Sequence, residues 1–288
     1  MLHETIQVSG PTTIHRSSTI AARPCRVPAA RHQALGRDVR RALETGRFLL
    51  HYQPRIELSS GLIASSEALI RWPDRRRGMI PPADFIPVAE RSDLINGIGA
   101  WVLQEACTEA MRWGGGRVSV NVSARQLQSG ALPTQLASAL DQSGLPPDRL
   151  ELELIESMLI DNSTDTLLTL SAIRDLGVGL ALDDFGTGYA SLSMLKRLPL
   201  TVMKLDRSLV RELPGNREDA AIVRAVVETG HAIGLTVVAE GIETEAQRAF
   251  LSGIGCDQGQ GYLFSQPVPA KHIRVYMSDP RNPTPLHA

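Results

Sequence analysis

The chain has only three cysteines in 288 residues, and Cys25, Cys107 and Cys256 lie far apart. Neither a disulfide framework nor a CxxC zinc pattern can be built from them, which fits a reducing compartment such as a cytosol. Excess charge of either sign is also missing. The formal net charge is −1, so nothing overall draws the chain to DNA or to an anionic membrane surface. No apolar run approaches the length of a membrane span, and the N-terminus lacks the apolar core of a secretory signal. The glycine fingerprint of a dinucleotide-binding fold is absent after the first expected strands, which counts against an open doubly wound sheet. None of the seven histidines forms an HxxxH or comparable pair.

What is present is an ordinary globular composition, 43% hydrophobic and 21% charged, enough to bury a sizeable core. Residues 1–31 differ. They hold Pro11, Pro24 and Pro28, many Ser and Thr, and Arg16, Arg23, Arg26 and Arg31 against one acid, Glu4. This reads as a flexible tail or linker, with a basic docking arm as the alternative. Residues 279–288 read as a second flexible tail.

Between the tails, 32–278 reads as one barrel domain. Leu35, Val39 and Leu43 recur at helical spacing, and Gly46 can end that helix. Phe48–Glu57 and Leu62–Ile70 read as strands joined by Ser59-Ser60-Gly61, an antiparallel hairpin. Helices follow from Pro81-Pro82 through Ala89 and over Ile95–Trp113. Strands at Arg117–Val122, Leu150–Ile155, Gly179–Leu182, Val202–Leu205, Thr236–Ala239 and near Asp257–Gln260 then alternate with helices. Those helices are expected at Pro133–Gln142, Thr164–Leu176, Ser191–Leu198, Arg217–Ile233, Thr244–Ile254 and from Ala270. Brief apolar strands followed by helices imply parallel strands buried on both faces. The expected fold is α/β, a TIM-like (β/α)8 barrel with a reversed first strand.

The stretch that organises the rest is Gly179 to Tyr189, where an apolar run ends in Asp183 and Asp184 and a loop with Gly186 and Gly188 follows. Two adjacent carboxylates read either as a turn at a strand end or as a cation site. In a parallel barrel, chemistry collects at the C-terminal strand ends. There the sequence offers Glu67 and Arg71, Asn121, then Glu151, Glu153 and Glu156, then Asp183 and Asp184, Lys204, Glu240 and Glu243, and Gln260. Taken singly, each has a structural explanation: Lys204 can pair with Asp206, and Asn121 can cap a helix. Together, carboxylates from five strand ends at one mouth call for bound cations. The oxygen-rich set favours Mg²⁺ or Mn²⁺ over Zn²⁺. Two such ions about 4 Å apart suit phosphoester hydrolysis. Asp183 is the natural bridge, Lys204 can hold a water, and Glu240 can either ligate or take a proton. Proton abstraction beside a carboxylate, as in enolase-like lyases, is the competing chemistry at such a mouth.

Ser66-Glu67-Ala68-Leu69-Ile70-Arg71-Trp72 resembles the signature of the EAL-domain family, cyclic-di-GMP-specific phosphodiesterases with a barrel fold. The resemblance runs from about Leu35 to Pro269. It includes Tyr52-Gln53-Pro54, Val120-Asn121-Val122-Ser123, Glu153-Leu154-Ile155-Glu156, Asp183 to Tyr189, Lys204-Leu205-Asp206, Ala239 to Glu243 and Gln260-Gly261-Tyr262. It implies hydrolysis of cyclic di-GMP to linear pGpG in a bacterial cytoplasm. One metal would be held by Glu67, Asn121, Glu153 and Asp183, and the second by Asp183, Asp184 and Glu240. Lys204, Glu240 and Glu67 would be catalytic, with Lys204 on the attacking water. Gln53, Arg71, Glu243 and Gln260 would bind substrate. Glu156 would steady the loop after Asp184, where the family's homodimer interface tends to lie. No GGDEF-like signature occurs in the chain, so regulation is expected from a partner protein, a sensor domain outside the sequence, the tail or dimerisation. Arg55 stands where an aliphatic residue is common, Ile155 where threonine is, Asp93 where glycine is and Met194 where an aromatic is. A non-catalytic cyclic-di-GMP receptor or protein-interaction module on the same barrel is the alternative function.

Overall fold

Ten strands form one sheet in the computed structural model, which describes residues 29–159, 164–186, 188 and 192–278. The chain runs α1 (Ala29–Glu44), β1 (Leu49–Glu57), β2 (Ile63–Asp74), β3 (Gly78–Ile80), α2 (Pro82–Glu90), α3 (Leu94–Ala110) and β4 (Arg117–Val122). Then come α4 (Ala124–Gln128), α5 (Leu132–Ser143), β5 (Leu150–Ile155), α6 (Thr164–Asp175), β6 (Gly179–Phe185), α7 (Leu192–Leu195) and β7 (Val202–Leu205). The last third holds α8 (Arg207–Val210), α9 (Arg217–Ala232), β8 (Thr236–Ala239), α10 (Glu245–Gly253), β9 (Gln258–Gly259), β10 (Val268–Pro269) and α11 (Ala270–Ser278).

Strands β2, β4, β5, β6, β7, β8 and β9 are parallel to their neighbours in that order. β1 pairs antiparallel with both β2 and β9 and so closes the ring. The result is an eight-stranded barrel whose first strand runs against the rest, and closure rules out the open doubly wound sheet. The antiparallel start follows from the tight β1–β2 turn, where Gly61 takes φ 75° and its amide bonds to the Glu57 carbonyl at 2.8 Å.

Several boundaries differ from the sequence reading. β3 and β10 add short antiparallel pairs to β2 and β1, and two or three residues carry too little pattern to announce a strand. β2 continues to Asp74, so Glu67 lies within the strand, not at its end. β6 continues through Asp183 and Asp184 to Phe185. α1 begins at Ala29, inside the segment read as a tail. The rest of the expected tails, 1–28 and 279–288, lies outside the described residues.

Strand side chains alternate between the two faces of the sheet. Leu152, Leu154, Val118, Val120, Leu180, Leu182, Met203 and Leu205 join the main apolar cluster with the helices. Ala181, Val202 and Val238 form a separate small cluster on the other face. Most of the remaining positions on this inner face are polar and buried: Gln53 and Arg55, Ser65 and Glu67, Ser119, Glu151 and Glu153, Asp183 and Lys204. An ordinary barrel fills its interior with branched apolar layers. This one spends much of that volume on charge.

Candidate metal centre

Register aligns the polar residues in depth. Gln53 on β1 pairs with Glu67 on β2, Asn121 on β4 with Glu153 on β5, and Ile155 on β5 with Asp183 on β6. The doubled aspartates pose a geometric problem, because adjacent strand residues point to opposite faces. The β6–β7 register shifts between Leu182 and Phe185, and Asp184 takes φ 56°, a left-handed conformation that is rare outside glycine. A bulge of this kind re-aims side chains. Carboxylate oxygens of Asp183, Asp184 and Glu240 consequently lie within 4.8 Å of one another.

Lys204 sits among the acids, 1% exposed. Its Nζ is 2.6 Å from Glu240, 2.7 Å from Glu153, 3.1 Å from Asp183 and 3.9 Å from Glu67. Burial alone would lower the pKa of this ammonium, but the four carboxylates hold it well above the ordinary lysine value. Asp206 is not its partner. That side chain accepts from the Ser208 amide at 2.9 Å and caps α8. Asn121 is not a helix cap either, since Ser123 caps α4 through a capping box with Gln126.

Glu67 is the second hub. Its Oε1 accepts from Asn121 Nδ2 and its Oε2 from Gln260 Nε2, both at 2.6 Å. Gln260 also donates to Gln53 Oε1 at 3.1 Å, and Gln53 donates to the Ser265 carbonyl at 3.0 Å. A cavity of about 250 Å³ opens over this network. It brings together Gln53, Glu67, Asp183, Lys204, Glu240, Glu243 and Gln260. Arg71 does not line it; half-buried, its Nη1 donates to the Ile70 carbonyl at 2.9 Å. Asn121 borders a neighbouring apolar cavity of about 280 Å³ that Ile155 also lines. Glu156, 2% exposed, accepts from the Gly186 amide at 3.3 Å, a contact with the start of the loop it is expected to steady. Residues 187 and 189–191 of that loop lie outside the described residues.

Four residues have no role assigned from the sequence. Arg207, directly after the Asp206 cap, lines the cavity, as does Tyr262. Gly241, at φ 68°, lets the chain pass against Arg207, whose Cβ would be 2.5 Å from any Cβ added there. Arg55, noted only as a departure from family pattern, lies 1% exposed beneath the site with its guanidinium against Glu151 and Glu153.

The donor set fits hard divalent ions. It is all oxygen, and carboxylate oxygens of Asp183, Asp184 and Glu240 converge within 4.8 Å of one another. Burial raises the Glu67, Asp183 and Asp184 carboxyls above their ordinary range, and neighbouring acids add to it. Burial likewise pushes Glu240 up to about 8. Burial would raise Glu153 as well, but Lys204 and then Arg55 outweigh it and hold this carboxyl low.

These directions fix a pH dependence. Carboxyls raised in the folded state hold protons that the unfolded chain has released, so they lose their stabilising effect as pH rises from the unfolded value towards the folded one. Glu153, being lowered, contributes stability that is already present throughout that window. Metal-free protein should therefore melt at progressively lower temperature between pH about 5 and about 8. Ligand carboxylates must ionise to bind metal, so saturating Mn²⁺ should reverse the slope. Melts across that range in EDTA and in Mn²⁺ check this, and parallel curves would refute it.

The EAL domain family model matches residues 36–267. The bifunctional diguanylate cyclase/cyclic di-GMP phosphodiesterase MucR of Pseudomonas aeruginosa is 42% identical over 241 residues, 82% of this chain and 35% of MucR. The cyclic di-GMP phosphodiesterase NbdA of the same organism is 39% identical over 266 residues, 89% of this chain and 34% of NbdA. Thus the chain spans about a third of the length of these relatives. A solved structure described as the PaMucR phosphodiesterase in complex with c-di-GMP superposes with a TM-score of 0.79 at 42% identity. The match covers 83% of this chain and 99% of that one.

Proposed function

The chain belongs to the EAL domain family, and from that premise we propose that it is a metal-dependent phosphodiesterase that hydrolyses cyclic di-GMP to linear pGpG. The observation that carries this reading is the buried Lys204 ammonium ringed by Glu67, Glu153, Asp183 and Glu240, with Asp184 brought alongside by the bulge. In this reading Glu67, Asn121, Glu153 and Asp183 hold one Mg²⁺ or Mn²⁺, and Asp183, Asp184 and Glu240 hold the other. Bound there, two divalent ions would acidify a water and stabilise charge on the attacking and leaving oxygens.

The chain's own groups do the rest. Lys204 would turn one of its three donors from a carboxylate to the attacking water. Glu240, whose carboxylate lies 2.6 Å from Lys204 Nζ, is the candidate to take the water's proton. The water oxygen bonds to phosphorus, the P–O3′ bond breaks, the departing O3′ picks up a proton from solvent, and the ring opens to pGpG. Gln53 and Arg71 bind the substrate backbone, and Arg71 offers a planar fork suited to phosphate. Glu243 and Gln260 face a guanine.

Homodimerisation near the loop after Asp184, control by a partner protein or a further domain, and residence in a bacterial cytoplasm belong to the same proposal. No described helix is long and apolar enough to cross a membrane.

The test is turnover of cyclic di-GMP with Mg²⁺ or Mn²⁺ beside an EDTA-treated sample. Metal-dependent pGpG formation, lost in EDTA and restored by added metal, is the expected result. Binding without turnover in either metal would sink the catalytic reading and favour a receptor.

A further inference from the structure

We propose that Arg55 is a positioning residue that sets the orientation of Glu153 from beneath the site, acting across the barrel interior with Glu151 as its anchor. The inference rests on the two-metal reading above. β1 and β5 are not sheet neighbours, because β2 and β4 stand between them. The Arg55 side chain therefore crosses the lumen to reach β5. Its Nη2 donates to Glu151 Oε1 at 2.6 Å and lies 3.5 Å from Glu153 Oε1. Arg55 is 1% exposed, Glu151 4% and Glu153 0%, so water does not screen the contact.

Glu153 is thus divided between two cations. Its Oε2 accepts from Lys204 at 2.7 Å, its Oε1 lies 3.5 Å from Arg55, and the Ser119 hydroxyl also acts on this carboxylate. A carboxylate held only by Lys204 and one hydroxyl can still rotate about its terminal torsion, which is broad and soft. Attraction from below removes that freedom. Glu151 fixes the guanidinium, the guanidinium fixes Glu153, and Glu153 meets Lys204 and the acids above. Ala181, Val202 and Val238 make up the small apolar cluster of the inner face, so that cluster does not include either glutamate.

A purely structural role has a different signature. If Arg55 only neutralises Glu151, removing both charges together repairs the damage. If it orients Glu153, removing both restores stability and leaves the site misaligned. Four proteins separate these outcomes: wild type, Arg55→Met, Arg55→Lys and the double variant Arg55→Met/Glu151→Gln. Each is titrated with Mn²⁺ by calorimetry, melted with and without Mn²⁺, and assayed for kcat and KM.

Groups that orient metal ligands typically contribute ten- to a hundredfold in metal affinity. We expect Arg55→Met to weaken Mn²⁺ binding at least about tenfold, and Arg55→Lys less. In the double variant the melting temperature should return towards wild type while Mn²⁺ affinity stays at least about tenfold weak and kcat falls more than KM rises. Should Arg55→Met not fold, the double variant and Arg55→Lys carry the test. Wild-type Mn²⁺ affinity in Arg55→Met or in the double variant would overturn the inference and leave the phosphodiesterase reading intact. A wild-type chain that takes up no Mn²⁺ would sink the two-metal reading, and this inference with it.

Discussion

Lys204→Met should abolish detectable turnover and, in metal-free protein, lower the melting temperature by on the order of 10 °C. Methionine matches the lysine stem in length and fills the same space, so the loss is one of charge. With the ammonium gone, Glu240, Glu153 and Asp183 lose a partner at 2.6–3.1 Å, and all three are wholly or largely buried. Breaking a buried ion pair by removing one partner costs about 3–5 kcal/mol, because the remaining charge is left uncompensated. Protonation of the raised carboxyls absorbs part of that cost, so the deficit should be smaller near pH 6 than near pH 8. Bound divalent metal would supply the missing positive charge. Saturating Mn²⁺ should recover most of the melting temperature and none of the turnover. The decisive comparison is melting and pGpG formation in the same sample. Turnover that returns along with stability would mean that Lys204 serves the fold alone.

Glu67→Gln should likewise remove turnover, by roughly 10²–10³-fold or more in kcat, but it should make metal-free protein more stable, not less. Burial and the Glu153 charge already hold the Glu67 carboxyl above its ordinary range, so its ionised form is a burden to the metal-free fold. A neutral amide of the same shape lifts that burden. Its new NH₂ group would face the donors of Asn121 or Gln260, but the unpaired Gln260 Oε1 can turn to accept from it. Lys204 keeps Glu153, Asp183 and Glu240. Opposite shifts in melting temperature with equal loss of turnover are the joint outcome to look for. A melting temperature that falls in Glu67→Gln as it does in Lys204→Met would show that the acids are bound by shared hydrogen bonding and not held against repulsion.

The site was legible where chemistry interrupts pattern. Acids that end or punctuate apolar strands stand out because burial without a purpose is costly, and the Lys204, Glu67, Glu153, Asp183 and Glu240 cluster emerged from that signal. The fold was legible because strands and helices alternate with turn residues between them. Other features depend on what lies across space. Lys204 had a tempting partner two residues away in Asp206, yet Asp206 turns to cap α8 and the actual partners come from β2, β5, β6 and the residue just after β8. The reach of Arg55 to Glu151 spans 96 positions in sequence. Strands β3 and β10 exist only because Trp72 to Asp74 and His51 to Tyr52 offer them an edge. The bulge that brings Asp184 beside Asp183 is a matter of register, and register belongs to pairs of strands.

The left-handed backbone at Asp184 also restricts what this position can become. Glycine sits at φ 56° freely, and asparagine and aspartate are the next most tolerant residues. Of those three, only aspartate brings a negative charge. Glutamate, the usual conservative exchange, keeps the charge but meets the backbone penalty. Under neutral drift the codon is therefore boxed in: every step off aspartate forfeits either the charge or the geometry. A stability screen would pass glycine here and an electrostatic screen would pass glutamate, so a library sorted on either criterion alone would lose one of the two properties that aspartate combines at this position.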